Sequence, residues 1–372
     1  MPHVPAFEST PELNAAFAQA QAHFLERVVP LWEGPGWNPE LGLPYEALDG
    51  QLQPLPPKRY RAMACARQLY LFSSLIERPG AQARAAQLFD ALNRYFADPH
   101  EGGWYYSVDP QGAPLDREKD LYTHAFIVFA CAHYWAKRPA PAVAATLDRA
   151  LAVVAERFST GDGLYEAKLG EAWQCLGSGP LQNPLMHLAE AFLATLQARA
   201  DAATQQALLA LCAQMQVRFI DPADGFLLEK PYGTVDNWFE PGHQFEWFYL
   251  LQSSDLLRSI PLSTTLAASF ALAEQAGVRE GAVMAALSPD GQLTDATQRI
   301  WAQAEYLRAL TLRPDGATKL VRQLEALNRR FLHANGWHEC RDGQGAVSRH
   351  DMPSTTPYHL ATCYQGLAIA LG

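Results

Sequence analysis

Three histidines stand just inside stretches that start helices: His187 after Asn183-Pro184, His243 after Pro241-Gly242, and His359 after Thr355-Thr356-Pro357. A side-chain cap followed by proline at the first helical position is a strong start signal. A histidine in the first turn feels the positive end of the helix dipole, which disfavours imidazolium. Neutral imidazole near pH 7 is what a general base requires, so proton transfer is the chemistry these positions suggest. His187 and His243 each have an acid three residues on, Glu190 and Glu246. That spacing puts both side chains on one helix face, where the Glu either fixes a ring tautomer or bonds a hydroxyl. A single histidine at a helix start is usually a capping or core residue. Three at equivalent places point to a site. His124 also falls in an apolar helix but has no cap motif around it, and His338 and His350 read as rim or surface residues.

Arg67 lies among small and apolar residues in RYRAMACARQLYLFS. A buried cation there needs an anion, either a structural carboxylate or a developing oxyanion. Aromatics that would close such a site and pack on sugar C–H faces include Trp104, Tyr122, Trp247, Trp301 and Tyr358. No HExxH, clustered Asp set, phosphate-binding glycine loop, GxSxG or Cys-centred nucleophile motif is present.

These residues must be positioned by helices. One set of segments is amphipathic and Ala/Gln/Arg-rich, near 11–30, 81–97, 142–158, 203–219, 263–276 and 315–332. A second set is more apolar, near 58–75, 120–135, 184–196, 243–256, 298–312 and 357–371. Six Gly–aromatic or Gly–Leu runs, PGWNPELGLPYEALDG, EGGWYYSVDPQG, GDGLYEAKLG, ADGFLLEKPYG, SPDGQLTDA and NGWHECRDGQG, recur about every 60 residues between them. The pattern predicts an all-α fold: an (α/α)6 barrel of six helical hairpins, amphipathic helices outside and apolar ones inside. Short β-hairpins occupy the long loops, which all enter inner-helix N-termini and so gather at one mouth.

The even repeat and the lack of a long linker predict one catalytic domain over residues 1–372. Only 18% of residues are charged and 49% are hydrophobic, which excludes a disordered chain. The net charge of −10 argues against nucleic acid or an anionic membrane as partner. MPHVPAFESTPELNAAF has neither the basic nor the apolar segment of a signal peptide, and no run reaches membrane-span length. Six scattered cysteines without a CxxC pair fit a reducing cytosol, so a cytoplasmic location is expected. Monomer and homodimer both remain open.

The motifs in order, ACARQLYLFS (64–73), DLYTHAFIVFA (120–130), NPLMHLAEAF (183–192), EPGHQFEW (240–247), RIWAQAEYLRA (299–309) and TTPYHL (355–360), resemble the N-acylglucosamine 2-epimerase superfamily. That superfamily includes mannose isomerases, sulfoquinovose/mannose isomerase-type enzymes and cellobiose 2-epimerases. The resemblance spans nearly the whole chain. It implies that His243 and His359 are an acid/base pair, Arg67 the catalytic arginine and Glu246 the supporting carboxylate. His187 matches a histidine of the isomerase and cellobiose-epimerase branches, and with Glu190, Tyr122, Trp301, Trp247, Tyr358 and Trp104 it is assigned to substrate binding. The NPLMHLAEAF form is most like mannose isomerase, with Leu185 where that branch often has His.

The chemistry implied uses no metal and no redox cofactor. A monosaccharide opens, a base removes the C2 proton, and Arg67 stabilises the cis-enediolate. Return of the proton to C1 makes a ketose, as mannose (or lyxose) to its ketose; delivery to the other face of C2 makes an epimer. Competing readings are a glycoside hydrolase on the same ring, with Asp236, Glu240 and Glu246 as the acids at hand, and a non-catalytic sugar- or protein-binding protein. Lys230 and Arg349 are the cations placed to meet an anionic sugar, or merely to line the rim.

Overall fold

The computed structural model describes residues 9–372; the first eight, part of the N-terminal stretch discussed above, lie outside the described residues. Helices of two kinds alternate along the chain. In order they are α1 (Pro11–His23), α2 (Ala62–Ser74), α3 (Ala81–Ala91), α4 (Leu121–Lys137), α5 (Pro141–Val153), α6 (Gln182–Ala198), α7 (Ala202–Arg218), α8 (Pro241–Gln252), α9 (Pro261–Gly277), α10 (Ile300–Leu310), α11 (Gly316–Arg330) and α12 (Thr356–Leu371). α1, α3 and α5 are each prolonged by a five-residue π-helical turn, Phe24–Val28, Leu92–Phe96 and Val154–Phe158.

The odd and even helices differ as their composition predicts. In α3 the buried residues are Ala81, Ala85, Leu88, Phe89 and Ala91, one stripe at helical spacing. In α2 every residue from Ala62 to Ser73 is buried, so this helix is enclosed on all sides. No helix among the described residues is long and apolar enough to cross a membrane.

By contacts the described chain forms two compact units. One comprises Trp32–Leu48 and Pro54–Met215; in it α4 packs between α2 and α6, with α3 on α2 and α5 on α4. The other comprises the chain up to Leu31, Asp49–Gln53 and Gln216–Gly372; in it α10 packs between α8 and α12, with α9 on α8 and α1 against α11 and α12. The Asn328 side chain ties α11 to α1 by donating to the Ala16 carbonyl at 3.0 Å.

Strands of two or three residues fill the long loops, as expected. Within the first unit Tyr60–Arg61, just ahead of α2, pairs with Ser107–Val108, and Lys119–Asp120, ahead of α4, pairs with Lys168–Leu169. Within the second, Gln298–Arg299, ahead of α10, pairs with Cys340–Arg341. The entries to α2, α4 and α10 are thus each sewn to the next long loop. The recurrent Gly of the loop motif has a backbone cause. Gly103, Gly163 and Gly225 adopt φ of +69°, +94° and +74°, the left-handed region where a Cβ is strained.

One start signal falls differently from its expectation. α6 begins at Gln182 with Leu181 as the flanking residue, so Asn183 and Pro184 lie inside the first turn. Pro184 is tolerated there because first-turn N–H groups have no intrahelical acceptor.

Candidate active site

His243 and His359 come together around Trp301 in the unit that contains α8, α10 and α12. Pro241 is the first residue of α8, and Glu240 flanks it in extended conformation. Gly242 follows because a Cβ there would come within 2.7 Å of the Trp301 ring. The Pro-Gly-His run therefore starts the helix, admits the indole, and presents His243 beside it. The Trp301 ring stacks on His243 at 5.0 Å and 29° between planes, and lies 5.6 Å and 35° from His359. Thr355, Thr356 and Pro357 open α12 as expected, and His359 follows in the first turn. Thr356 and Trp337 both donate to the Glu339 carboxylate at 2.8 Å, which fixes that helix start.

Gly242→Ala tests this construction. Alanine is the better helix former by about 1 kcal/mol, so helicity should hold. Displacing Trp301 should nonetheless cost about ten- to a hundredfold in turnover. Wild-type kinetics in this variant would show that the indole's position is immaterial.

Each histidine has a carboxylate on Nδ1. His243 pairs with Glu229 at 2.7 Å and His359 with Glu305 at 2.7 Å. Each ring is thereby fixed in orientation through its Nδ1. The other Glu305 oxygen takes Arg308 at 3.2 Å, and Arg308 lies over the Tyr249 ring at 4.1 Å. Burial alone would lower the His243 pKa, but the charges of Glu229 and Glu240 and the Glu229 hydrogen bond outweigh it and raise it to about 9. This corrects the expectation of a neutral imidazole from the helix dipole. Contact with a full carboxylate charge exceeds the partial charge of a helix end.

A second correction concerns Glu246. It does not hold the His243 ring. It is fully buried, and one of its oxygens lies within 4.8 Å of both a Glu305 oxygen and a ring nitrogen of His359. Sharing a helix face with His243 does not decide which partner Glu246 meets; the packing of α8 on α10 does. Glu229 and Glu305 were not singled out from sequence. Glu305 left a trace, as an acid inside the otherwise apolar RIWAQAEYLRA; Glu229 left none.

In the other unit Arg67, Tyr122, Phe126, His187 and Glu190 form a cluster. Arg67 donates to the Tyr122 hydroxyl at 2.6 Å and lies over the Phe126 ring at 4.2 Å. His187 sits edge-on to Tyr122 at 5.0 Å, and its Nδ1 pairs with Glu190 at 3.2 Å, as the i,i+3 spacing predicts.

Among the aromatics assigned to substrate, Tyr122 and Trp301 keep exposed surface. Trp104, Trp247 and Tyr358 keep none, so they are wall rather than sugar-facing residues. Trp104 packs on His124 and under Arg149, and Tyr358 backs the His359 ring at 4.7 Å. His124 proves to follow a cap that the sequence reading missed, Asp120, which accepts from the Thr123 amide. Its Nδ1 bonds the Asp120 carbonyl at 2.8 Å, and burial pushes it down to about 4, a structural histidine. Arg349 is paired with Asp351, and Lys230 lies over the Trp238 ring at 5.0 Å. Leu185 is core.

His243 with Glu229 and Glu240, and His359 with Glu246 and Glu305, are grouped closely enough to hold a divalent ion. In both groups the 2.7 Å contact from ring nitrogen to carboxylate is a hydrogen-bond length. A histidine oriented by a carboxylate in this way supports proton transfer.

Comparisons with known proteins define the class first. The cellobiose 2-epimerase structure from Bacillus thermoamylovorans B4167 superposes with TM-score 0.86 over 96% of this chain and all of that one, at 18% identity. The fold is therefore the (α/α)6 barrel of sugar epimerases and isomerases. Two relatives of known sequence are a D-mannose isomerase from Thermobifida fusca and a mannose-6-phosphate isomerase from Rhizobium meliloti (strain 1021). The first is 30% identical over 62% of this chain and 60% of its own length, and the second 29% identical over 90% and 92%. The match to the first thus spans less than two thirds of that relative. The N-acylglucosamine 2-epimerase (GlcNAc 2-epimerase) profile matches residues 44–363, and the chain belongs to that family. It is a sugar isomerase or epimerase.

Proposed function

We propose that this enzyme is a metal-independent aldose–ketose isomerase that interconverts D-mannose and D-fructose, with D-lyxose as a further candidate substrate. The observation that carries the reading is the pair His243 and His359 on one indole, each buried and each held through Nδ1 by a carboxylate. The NPLMHLAEAF motif and the D-mannose isomerase relative support the isomerase branch.

After ring opening, His359 takes the C2 proton on Nε2, giving a cis-enediolate, and returns it to C1. His243, held protonated by its carboxylates, first assists ring opening. It then gives its Nε2 proton to O1 and recovers one from the O2 hydroxyl as the C2 carbonyl forms. No atom or electron is left over. For Arg67 and His187 the family resemblance carries the assignment: Arg67 stabilises charge on O1 and O2, and His187 with Glu190 binds a hydroxyl. We take residues 1–372 as one catalytic domain acting on a monosaccharide in the cytosol; the family match covers residues 44–363 of it.

Proton NMR of the enzyme with mannose in D2O and EDTA tests the proposal. Fructose carrying deuterium at C1, with exchange at C2 of the remaining mannose, is the expected result. Glucose instead would make the enzyme a 2-epimerase. Turnover of mannose 6-phosphate in preference would move it to phosphorylated sugars, and N-acetylmannosamine from N-acetylglucosamine would move it to the acylglucosamine branch.

A further inference from the structure

The carboxylate that holds His243 comes from a loop built to place it. Glu229 is buried, and its amide donates to the Trp238 carbonyl at 2.9 Å. Between these two residues the loop is closed on Asn237. The Asn237 Oδ1 accepts from the amides of Lys230 and Trp238, each at 3.0 Å. Its Nδ2 donates to the carbonyls of Lys230 at 2.8 Å and Pro231 at 3.2 Å. The neighbouring Asp236 is forced to φ +54°, a conformation that costs a non-glycine residue of order 1 kcal/mol. All four clamp bonds lie at the neck of the loop, next to Glu229.

We propose that Glu229 is the positioning residue that makes His243 the proton donor of the pair, and that the Asn237 clamp holds Glu229 in place for this role. The proposal rests on the reading of His243 and His359 as the acid/base pair. It goes beyond that reading by naming what divides their labour.

The charged groups around His243 come from two elements. The preceding loop contributes Glu229 and Glu240, and the start of α10 contributes Arg299. Arg299 opposes the imidazolium, but it is drawn off by Glu240 at 3.4 Å and Asp295 at 3.9 Å. Burial also opposes it, and Glu229 with Glu240 prevails. The arrangement at His359 differs. Its Glu305 divides its charge between the ring and Arg308, whereas Glu229 adds only the Glu240 amide to its bond with His243. An acid/base pair working at one pH needs one member that holds its proton, and the Glu229 contact suits His243 to that role.

The sign of the pH effect follows. A histidine raised to about 9 keeps its proton below that pH and loses it as pH rises through it. Turnover should therefore fall on the alkaline side near 9. Glu229→Gln keeps an acceptor for Nδ1–H, and hence the tautomer, but removes the charge. The alkaline limb should then move down by about one to two pH units, with the acid limb unmoved. Asn237→Ala should move it the same way by less, and Glu229→Asp should restore part of the shift.

Two measurements decide the matter together. The first is the pH dependence of kcat and kcat/KM for mannose in wild type, E229Q, E229D and N237A. The second needs no turnover: titration of the His243 ring resonance in the substrate-free protein, assigned by its loss in His243→Asn. A His243 resonance that titrates at a lower pH in E229Q than in wild type, together with the shifted limb, is the expected result. Equal titration in the two proteins, or an E229Q loss that is the same at every pH, would overturn the proposal and leave Glu229 a structural residue. A shifted resonance in an enzyme inert toward every sugar would instead overturn the proposed function and uphold the Glu229–His243 link.

Discussion

His359→Asn is expected to reduce kcat for mannose isomerisation by roughly a thousandfold, within the range found when acid–base catalysis is lost. The argument is geometric. His359 is held on Nδ1 by Glu305 at 2.7 Å, backed by Tyr358 and flanked by Trp301, so its ring and Nε2 have one orientation. In the proposed reaction this nitrogen both removes and returns the substrate proton. The variant should therefore lose product formation and solvent exchange at C2 together. Substrate affinity should change far less, since the proton transfer belongs to the transition state. Deuterium incorporation at C2 of recovered mannose is the direct measurement. Normal exchange in His359→Asn would hand the base role to another residue.

His243→Asn should cost about a hundredfold or more in product formation, with a different signature. Removing the donor leaves the base in place. Mannose with its ring already open should still exchange at C2, while ketose formation, which needs protons moved between O1 and O2, stalls. Exchange outpacing conversion is the expected outcome, read from the same NMR spectra. If exchange and conversion fall by one factor, the division of labour between the two histidines is wrong. The pair of variants thus separates a shared role from two distinct ones.

Much of this site was legible locally. The Pro-Gly-His and Thr-Thr-Pro starts of α8 and α12 put His243 and His359 in the first turn of their helices, and that is where they stand. His187 and Glu190 pair as their spacing requires. The apolar and amphipathic segments became the enclosed and one-sided helices, because the side-chain period of a helix is written in consecutive residues. The loop glycines were legible for a similar reason, since a left-handed φ selects glycine wherever it occurs.

Other positions were not legible. Glu246 was matched to His243 by an i,i+3 rule, yet lies with His359 and Glu305. The true partners of the two histidines stand 14 and 54 residues away in the chain. Trp104, Trp247 and Tyr358 share the residue types of sugar-stacking aromatics, but packing covers them entirely.

By itself, then, the sequence determined the helix pattern, the family and which histidines open the inner helices, because each depends on near neighbours along the chain. Only the tertiary structure decided which carboxylate each histidine meets, which aromatics keep a free face, and that His243 holds its proton to about pH 9. Those properties depend on burial and on charges brought close by packing, and neither has a fixed spacing in sequence.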